Sequence, residues 1–175
     1  MPNIINQLKN VRVRLNGDDF DGIVDEFTPP QLEIMIQQYH AAGMDVPIDL
    51  DMGMHPLRGR LMINGYQPAS FAAFGTADQT SVRMVVEGAL EGLDADLNRS
   101  NSKITFDMRG SVTATAMGRV RGRGDLPRTL VNISCIRYQI FLNDTEKIVD
   151  INVLEYKREI NGIDRLANLR TAISG

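Results

Sequence analysis

The stretch VRVRLNGDDFDGIVDEF, residues 11–27, decides the class of fold. Valine and leucine alternate with arginine up to Leu15, and this period of two is typical of a strand with one buried and one exposed face. Asn16 and Gly17 follow, and both tolerate the positive φ angles of a tight hairpin turn. A return strand is expected from about Phe20 to Phe27. The stretch therefore predicts an antiparallel β-hairpin.

The same alternation recurs along most of the chain. It predicts further strands over residues 31–39, 57–63, 82–90, 104–108, 112–116, 130–142 and 148–156. A helix is the alternative for residues 31–39, because Leu32, Met35, Ile36 and Tyr39 also fit one helical face. Two segments are expected to be helical: PASFAAFG at 68–75, with proline near its start and glycine at its end, and the C-terminus. The C-terminal helix is predicted from an apolar stripe of Ile163, Leu166, Leu169 and Ile173.

These elements predict a mainly β protein, an antiparallel β-barrel or sandwich of about eight strands with one short internal helix and a C-terminal helix. The 175 residues fit a single domain, residues 1–175. In the strand over 130–142, the apolar positions are odd-numbered from Val131 to Cys135 and even-numbered from Ile136. This change of phase indicates a bulge, or a strand covered on both faces.

Composition argues against several classes of protein. The net charge is −3, tryptophan is absent and aromatic residues are 6%, which disfavours a protein that grips nucleic acid through a basic or stacking surface. The single cysteine, Cys135, permits no intramolecular disulfide and suggests a reducing compartment. No apolar run is long enough to cross a bilayer, and the N-terminus does not resemble a signal peptide.

The chain offers little for catalysis or metal binding. Its two histidines, His40 and His55, lack the i, i+4 spacing of a zinc-binding helix. The stretch DADLNRS at 94–100 begins like a calcium loop, but Arg99 stands where the loop needs glycine and Thr105 where it needs glutamate. We therefore expect no catalytic residue, no cofactor and no metal.

The basic stretch MGRVRGRGDLPR, residues 117–128, lies between two predicted strands and is rich in turn residues. It is expected to be an exposed, variable loop rather than a nucleic-acid clamp, and its Arg-Gly-Asp triplet is too short to identify a receptor motif. Arg119, Arg121 and Arg123 are candidates for contacts with acidic groups of a partner. Contact with DNA is the alternative.

The segment over residues 41–58 lacks a clean period and is expected to be a long loop. Its length exceeds that of ordinary connections, which points to a functional role as an arm that reaches a neighbouring subunit. The candidate contact residues in it are Ala42, Gly43, Met44, Asp45, Asp49 and Asp51.

The C-terminal stretch DINVLEYKREINGIDRLANLRTAI, residues 150–173, resembles the end of the major tail tube proteins of contractile-tailed phages and R-type pyocins. In that family a strand leads through an Asn-Gly turn into a terminal helix. The matching residues here are Asn161, Gly162, Asp164, Arg165 and Leu166. Further landmarks follow in the family's order: LNG at 15–17, AGM at 42–44, PIDL at 47–50 and MRG at 108–110.

The resemblance implies a β-barrel-like subunit, related to the tube proteins of type VI secretion systems, that forms stacked hexameric rings inside a contractile sheath. The implied partners are the protein itself, the tail sheath protein, the baseplate hub and the tail terminator. Phage DNA would pass through the lumen without specific binding, and no membrane anchor is implied. The subunit would be made in the bacterial host cytoplasm and end in the tail of the virion. The alternatives are the tube of a DNA-free tailocin or other contractile injection system and, more remotely, a small ligand-binding β-barrel.

Overall fold

The computed structural model describes residues 5–75, 82–93, 99–119, 122, 124 and 126–174. Within these residues the chain forms twelve strands and two short helices, so the prediction of a mainly β fold with one internal and one C-terminal helix is confirmed. The strands are β1 (Ile5–Leu15), β2 (Asp18–Asp19), β3 (Val24–Thr28), β4 (Ile34–Tyr39), β5 (Ile48–Met54), β6 (Leu57–Asn64), β7 (Val82–Leu93), β8 (Arg99–Met117), β9 (Arg128–Leu142), β10 (Glu146–Asn152), β11 (Lys157–Ile160) and β12 (Ile163–Asp164). The helices are α1 (Pro68–Ala72) and α2 (Ala167–Ser174).

Strand β9 organises the main sheet. One edge of β9 pairs with β8 along nearly its whole length, while the other edge pairs first with β6 and then with β10. Two sheet segments therefore share β8 and β9: β3–β6–β9–β8, and β12–β11–β10–β9–β8–β7–β1–β2. All of these pairings are antiparallel. Because β8 and β9 belong to both segments, the side chains of the two segments meet in one hydrophobic core.

The change of phase at Cys135 is a β-bulge. Arg109 of β8 pairs with Arg137 of β9, but the next residue, Gly110, pairs with Cys135, so Ile136 is an extra residue on β9. Cys135 and Tyr138 are consequently both buried in the same core, although strict alternation would place them on opposite faces. Burial raises the pKa of the Cys135 thiol to about 12, which keeps it protonated and unreactive.

The predicted turns are present where their residues tolerate positive φ. Asn16 and Gly17 have φ angles of 53° and 95° between β1 and β2, and Asn161 and Gly162 have φ angles of 49° and 77° between β11 and β12. The predicted return strand is split into β2 and β3, with the buried Phe20 between them. Short strands of this kind account for the excess over the eight expected.

Two local predictions were wrong. The segment over 41–58 is not one long loop, because residues 48–54 form β5 and β6 begins at Leu57. The alternation in Ile48-Asp49-Leu50-Asp51-Met52 is itself a strand pattern. The C-terminal apolar stripe is also interrupted: Ile163 lies in β12, and α2 begins only at Ala167. Within the described ranges, no helix is long and apolar enough to span a membrane.

Candidate assembly surface

A hairpin formed by β4 and β5 stands apart from the main sheet as a two-stranded sheet of its own. We call residues 34–54 the arm. Every residue of β4 is exposed, as are the first five of β5. An isolated two-stranded hairpin is marginally stable in water, so an exposed hairpin of this length indicates a surface that a partner covers.

One face of the arm is largely apolar. Tyr39 pairs with Ile48 and Gln37 with Leu50, and alternation along β4 places Met35 on that same face. Each large apolar side chain of this face is more than a third exposed, as is Met52 at the register shift in β5: Met35, Tyr39, Ile48, Leu50 and Met52. Methionine adapts its shape to an irregular partner, so this face suits a protein contact.

The opposite face and the tip of the arm carry the acidic residues. Asp49 and Asp51 lie on the same face, because they pair with Gln38 and Ile36. The tip is a turn in which Gly43 has a φ of 90° and the Met44 amide donates to the Ala41 carbonyl at 3.1 Å. Five of the six predicted contact residues are exposed, and only Met44 is half-buried. The arm therefore presents its predicted contacts to solvent.

One predicted contact, Asp51, is engaged within its own chain. Its carboxylate accepts a hydrogen bond from the guanidinium of Arg158 at 2.7 Å and another from the Gly53 amide at 2.8 Å. The hydrogen bond from Arg158, and then the one from Gly53, lowers the pKa of Asp51. Asp45 and Asp49 have no ion-pair partner within the described chain. Asp51 thus fixes the root of the arm, whereas Asp45 and Asp49 are free to meet another molecule.

The C-terminal motif closes the edge of the main sheet. The Asp164 carboxylate accepts hydrogen bonds from the amides of Leu166 (3.0 Å) and Arg158 (3.4 Å) and from the Arg170 guanidinium (2.8 Å). The Leu166 amide is the main cause of the lowered pKa of Asp164. The Arg165 amide donates to the Arg158 carbonyl, while its side chain is exposed. Asp164 therefore has a structural role, and Arg165 is available for a contact.

A groove of about 920 Å³ lies between the root of the arm and the C-terminal motif. Met52, Met54 and Pro56 line the arm side, and Val153, Tyr156, Leu166 and Leu169 line the opposite side together with Arg165. We call this cavity the C-terminal groove. Sequence reasoning identified Leu166 and Leu169 but missed Val153 and Tyr156, which the pattern assigned to a continuous strand. They are exposed because β10 ends at Asn152 and a turn follows.

Exposed large apolar side chains concentrate in these two regions. Nine lie on the arm or just beside it: Leu32, Ile34, Met35, Ile36, Tyr39, Val46, Ile48, Leu50 and Met52. Six lie in the C-terminal region: Val153, Leu154, Tyr156, Ile163, Leu169 and Ile173. Such concentrations on a single chain mark interaction surfaces.

The outward face of the sheet around β1, β7 and β8 has a different character, because its charges pair with one another. Arg14 contacts Glu87 at 3.2 Å, and Glu87 also accepts from Lys103 at 2.6 Å. Arg83 contacts Asp107 at 2.6 Å. Among the described residues, no group of histidine, cysteine or carboxylate side chains is placed to hold a metal ion.

The arginine-rich stretch connects β8 to β9, as predicted. The Gly118 amide donates to the Arg128 carbonyl at 2.6 Å and closes the base of the loop. Arg119 is exposed. Arg121 and Arg123 lie outside the described residues.

Comparison with known proteins agrees with this architecture. The family model for phage tail tube protein FII matches residues 5–174. The tail tube protein of Escherichia phage P2 is 22% identical over 185 residues, covering 95% of this chain and 96% of that protein. Among solved structures, the PVC sheath/tube terminator of an extracellular contractile injection system, in its extended state, superimposes with a TM-score of 0.55. It is 7% identical in sequence, and the match covers 75% of this chain and 93% of that one. Because the family model spans nearly the whole chain, the protein belongs to the phage tail tube protein FII family.

Proposed function

We propose that this protein is the repeating subunit of the inner tube of a contractile phage tail. Copies assemble into hexameric rings, the rings stack into a tube within the sheath, and sheath contraction drives the tube through the host envelope. Membership of the tail tube family supports this role, and so does the match with the P2 tail tube protein along nearly its entire length. The single observation that carries the proposal is the apolar arm, which is exposed on an isolated chain.

The exposed surfaces support self-assembly through a contact that repeats from one copy to the next. The outer part of the arm, residues 34–50, and the C-terminal groove are different surfaces on one chain, and both carry exposed apolar side chains. A contact between two different surfaces repeats without closing unless the rotation forms a ring. Stacked rings need such a contact along the tube axis.

Passage of DNA requires a lumen that does not hold phosphate. Each unpaired lysine or arginine that meets the backbone adds attraction through counterion release. On the polar sheet face, Arg14, Arg83 and Lys103 are matched by carboxylates at 2.6–3.2 Å. A surface with matched charges of this kind suits a conduit. The further partners are the tail sheath protein, baseplate hub and tail terminator, and the location is the virion tail.

A tube that carries no DNA is the second candidate. This second candidate is supported by the fold that the chain shares with the sheath/tube terminator of an extracellular contractile injection system. Both candidates predict the same assembly. They differ in cargo, so the DNA content of native particles separates them.

Negative-stain microscopy of the purified protein tests the proposal. We expect hexameric rings and tubes that lengthen with protein concentration. A matched variant replaces residues 38–49 with an Asn-Gly turn between the paired residues Gln37 and Leu50, which removes the outer part of the arm but leaves the contact of Asp51 with Arg158, β6 and the core intact. This variant is expected to keep the wild-type melting temperature and to lose tubes. If the wild-type chain is a monodisperse monomer under all conditions, a ligand-binding barrel is the better description.

A further inference from the structure

Four cationic side chains lie in one line across the strands of the main sheet. Arg83 on β7 pairs with Arg109 on β8, and Arg109 pairs with Arg137 on β9. The line continues through Asn152 on β10 to Lys157 on β11. Residues that pair across antiparallel strands project from the same face, so these side chains share one side of the sheet. We call Arg83, Arg109, Arg137 and Lys157 the basic row.

An acidic row lies beside the basic row, two residues away along each strand, which is a distance of about 6.7 Å. Its members pair across the same four strands, β8 to β11, in the order Asp107, Gln139, Asp150 and Glu159. The acidic row neutralises both ends of the basic row. Arg83 contacts Asp107 at 2.6 Å, and Lys157 contacts Asp150 at 2.8 Å.

The centre of the basic row is not neutralised. Arg109 is exposed and Arg137 is half-buried, and neither forms an ion pair among the described residues. Gln139 occupies the acidic row beside them, and its amide donates to Asp150 at 2.9 Å. The buried Nε of Arg137 has no hydrogen-bond acceptor in the part of the chain that the structure describes. Two guanidinium groups therefore lie side by side without an anion.

The next row on the other side of this centre supplies further hydrogen-bond donors. Ser111 on β8 pairs with Ser134 on β9, and both residues are half-buried. Neither hydroxyl has a hydrogen-bond partner within the described ranges. A serine hydroxyl can donate to a carboxylate, as a guanidinium does. Arg109, Arg137, Ser111 and Ser134 therefore form a patch of donors suited to an oxyanion.

The spacing of the rows decides which anion fits this patch. A DNA duplex is wider than one row, so it would also cover the acidic row and be repelled by its carboxylates. A single small anion would be held weakly, because ion pairs on an exposed face are weak. An extended polypeptide is only about 5 Å wide, and its linked carboxylates add their contributions. An acidic polypeptide is therefore the ligand that matches both the width and the charge.

We propose that the centre of the basic row binds an extended acidic segment of a different protein. Carboxylates of this segment accept hydrogen bonds from Arg109 and Arg137, with Ser111 and Ser134 as additional donors. Binding would also relieve the repulsion between the two arginines, which face each other directly across β8 and β9. The patch lies within one chain, so the contact does not depend on ring assembly.

Fluorescence anisotropy with a labelled peptide of alternating glutamate and serine tests this contact. The wild-type protein should bind the peptide, and it should not bind a peptide of alternating glutamine and serine. Arg109→Gln combined with Arg137→Gln should weaken binding roughly tenfold or more. The melting temperature of this double variant should not fall, because two like charges are removed, so the loss of binding cannot be attributed to unfolding.

The matched control for this variant combines Arg12→Gln with Arg99→Gln. It removes the same net charge, but from exposed arginines that already form ion pairs. Its affinity for the acidic peptide should change by less than about threefold at physiological salt, where distant charges are screened. Equal losses in the two double variants would show a response to net charge alone and would overturn the proposal.

A second variant blocks the patch and keeps both arginines. Ser111→Glu places a carboxylate beside Arg109, where it can occupy the guanidinium within the chain, and should weaken binding of the peptide roughly tenfold. Thr113→Glu is its control, because Thr113 is exposed and lies about 13 Å from Arg109 along β8. It should bind like the wild type. Unchanged binding by Ser111→Glu would contradict the site.

Three further outcomes would replace the acidic polypeptide with another ligand. Tighter binding of duplex DNA than of the peptide, lost in the double arginine variant, would identify a site for the phosphate backbone. Displacement of the peptide by an equal concentration of inorganic phosphate would identify a site for a free ion. Binding of the peptide to the unassembled protein but not to the tube would identify a neighbouring copy as the occupant. Each of these results would overturn the proposal, whereas retained binding to the tube would support it.

Discussion

Arg109 on β8 lies directly opposite Arg137 on β9, and Arg83 on β7 lies directly opposite Arg109. Arg83 is neutralised by Asp107, but the buried Nε of Arg137 has no hydrogen-bond partner among the described residues. Like charges on directly opposite residues destabilise a sheet. This row of three arginines should therefore lower the free energy of unfolding of the isolated chain.

Arg109→Thr should stabilise the monomer by about 0.2–1 kcal/mol, because it removes one like charge and introduces a strand-forming residue. The melting temperature should rise by up to about 4 °C, and the gain should shrink at high salt. Arg83→Thr is the matched control. It leaves the Asp107 carboxylate unpaired and should lower the melting temperature. Equal shifts in the two variants would show that the row itself is not the cause.

Gly110 is required by the bulge in β9. A Cβ atom at this position would overlap the carbonyl oxygen of Ser134 on the neighbouring strand. Gly110→Ala should therefore cost about 1–3 kcal/mol or more, measured by urea unfolding. Gly122→Ala is the control, because a Cβ at Gly122 meets no atom within 4 Å. An unchanged midpoint for Gly110→Ala would mean that the two strands can separate at the bulge without cost.

Asp150 should make stability depend on acid pH. Burial alone raises the pKa of its carboxyl, but hydrogen bonds from Lys147 and Lys157, each at 2.8 Å, outweigh burial and lower the pKa. A carboxyl with a lowered pKa in the folded state stabilises the protein above its unfolded pKa of about 4. This contribution is lost as the pH falls through the lower pKa of the folded state.

Asp150→Asn should accordingly destabilise the protein by about 1–3 kcal/mol at pH 7, where the wild-type carboxylate is charged. The difference between the two proteins should shrink as the pH falls below about 4, which urea unfolding across pH 2–7 measures. Glu146→Gln is the control, since Glu146 is exposed and forms no ion pair within the described ranges. A difference between Asp150→Asn and wild type that is constant with pH would assign the role of Asp150 to packing rather than charge.

The sequence predicted those elements that are determined by residues close together in the chain. The alternation up to Leu15, the Asn16-Gly17 turn and the change of phase at Cys135 each depend on neighbours in sequence, and each is present. The segment over residues 41–58 was singled out by its unusual length, but β5 within it was missed even though Ile48 to Met52 alternate. Long-range partners could not be predicted, because they depend on strand register. The sequence separates Asp51 from Arg158 by 107 residues. Only the fold shows that Asp51 forms an ion pair within the described chain and that Asp49 does not.

The start of the C-terminal helix was also not predictable from the apolar pattern alone. The sequence predicted Leu166 as part of the apolar stripe of the C-terminal helix. In the structure it is half-buried in the groove and precedes α2. The helix was assumed to start early because Ile163 fits the apolar period, whereas the hydrogen bond from the Leu166 amide to Asp164 fixes the chain before the first helical turn.

Leu166→Ala should therefore cost only about 1–2 kcal/mol in the monomer, less than a fully buried leucine. Its effect on assembly should be larger than its effect on stability, because a neighbouring subunit that covers the C-terminal groove would complete its burial. Thermal unfolding and the concentration required for tube formation measure the two effects separately. Leu126→Ala, at a side chain that is 71% exposed in the loop before β9, is the control and should alter stability least.

The arginine-rich loop provides the last prediction. Arg119 is exposed and forms no ion pair within the described chain, and none of the described residues between β8 and β9 is buried. We therefore expect Arg119→Ser, Arg121→Ser and Arg123→Ser, combined, to leave the melting temperature of the monomer nearly unchanged.

The proposed contacts of these arginines are acidic groups of an adjacent ring or of the sheath, and each exposed pair should contribute only about 0–1 kcal/mol. Repetition around a ring adds these contributions, so tube growth or sheath attachment should be slower in the triple variant. The defect should be greatest at low salt, where the wild-type attraction is strongest. A gel-shift assay with duplex DNA at physiological salt distinguishes the alternative: retardation by the wild-type protein, lost in the triple variant, would identify the loop as a nucleic-acid contact instead.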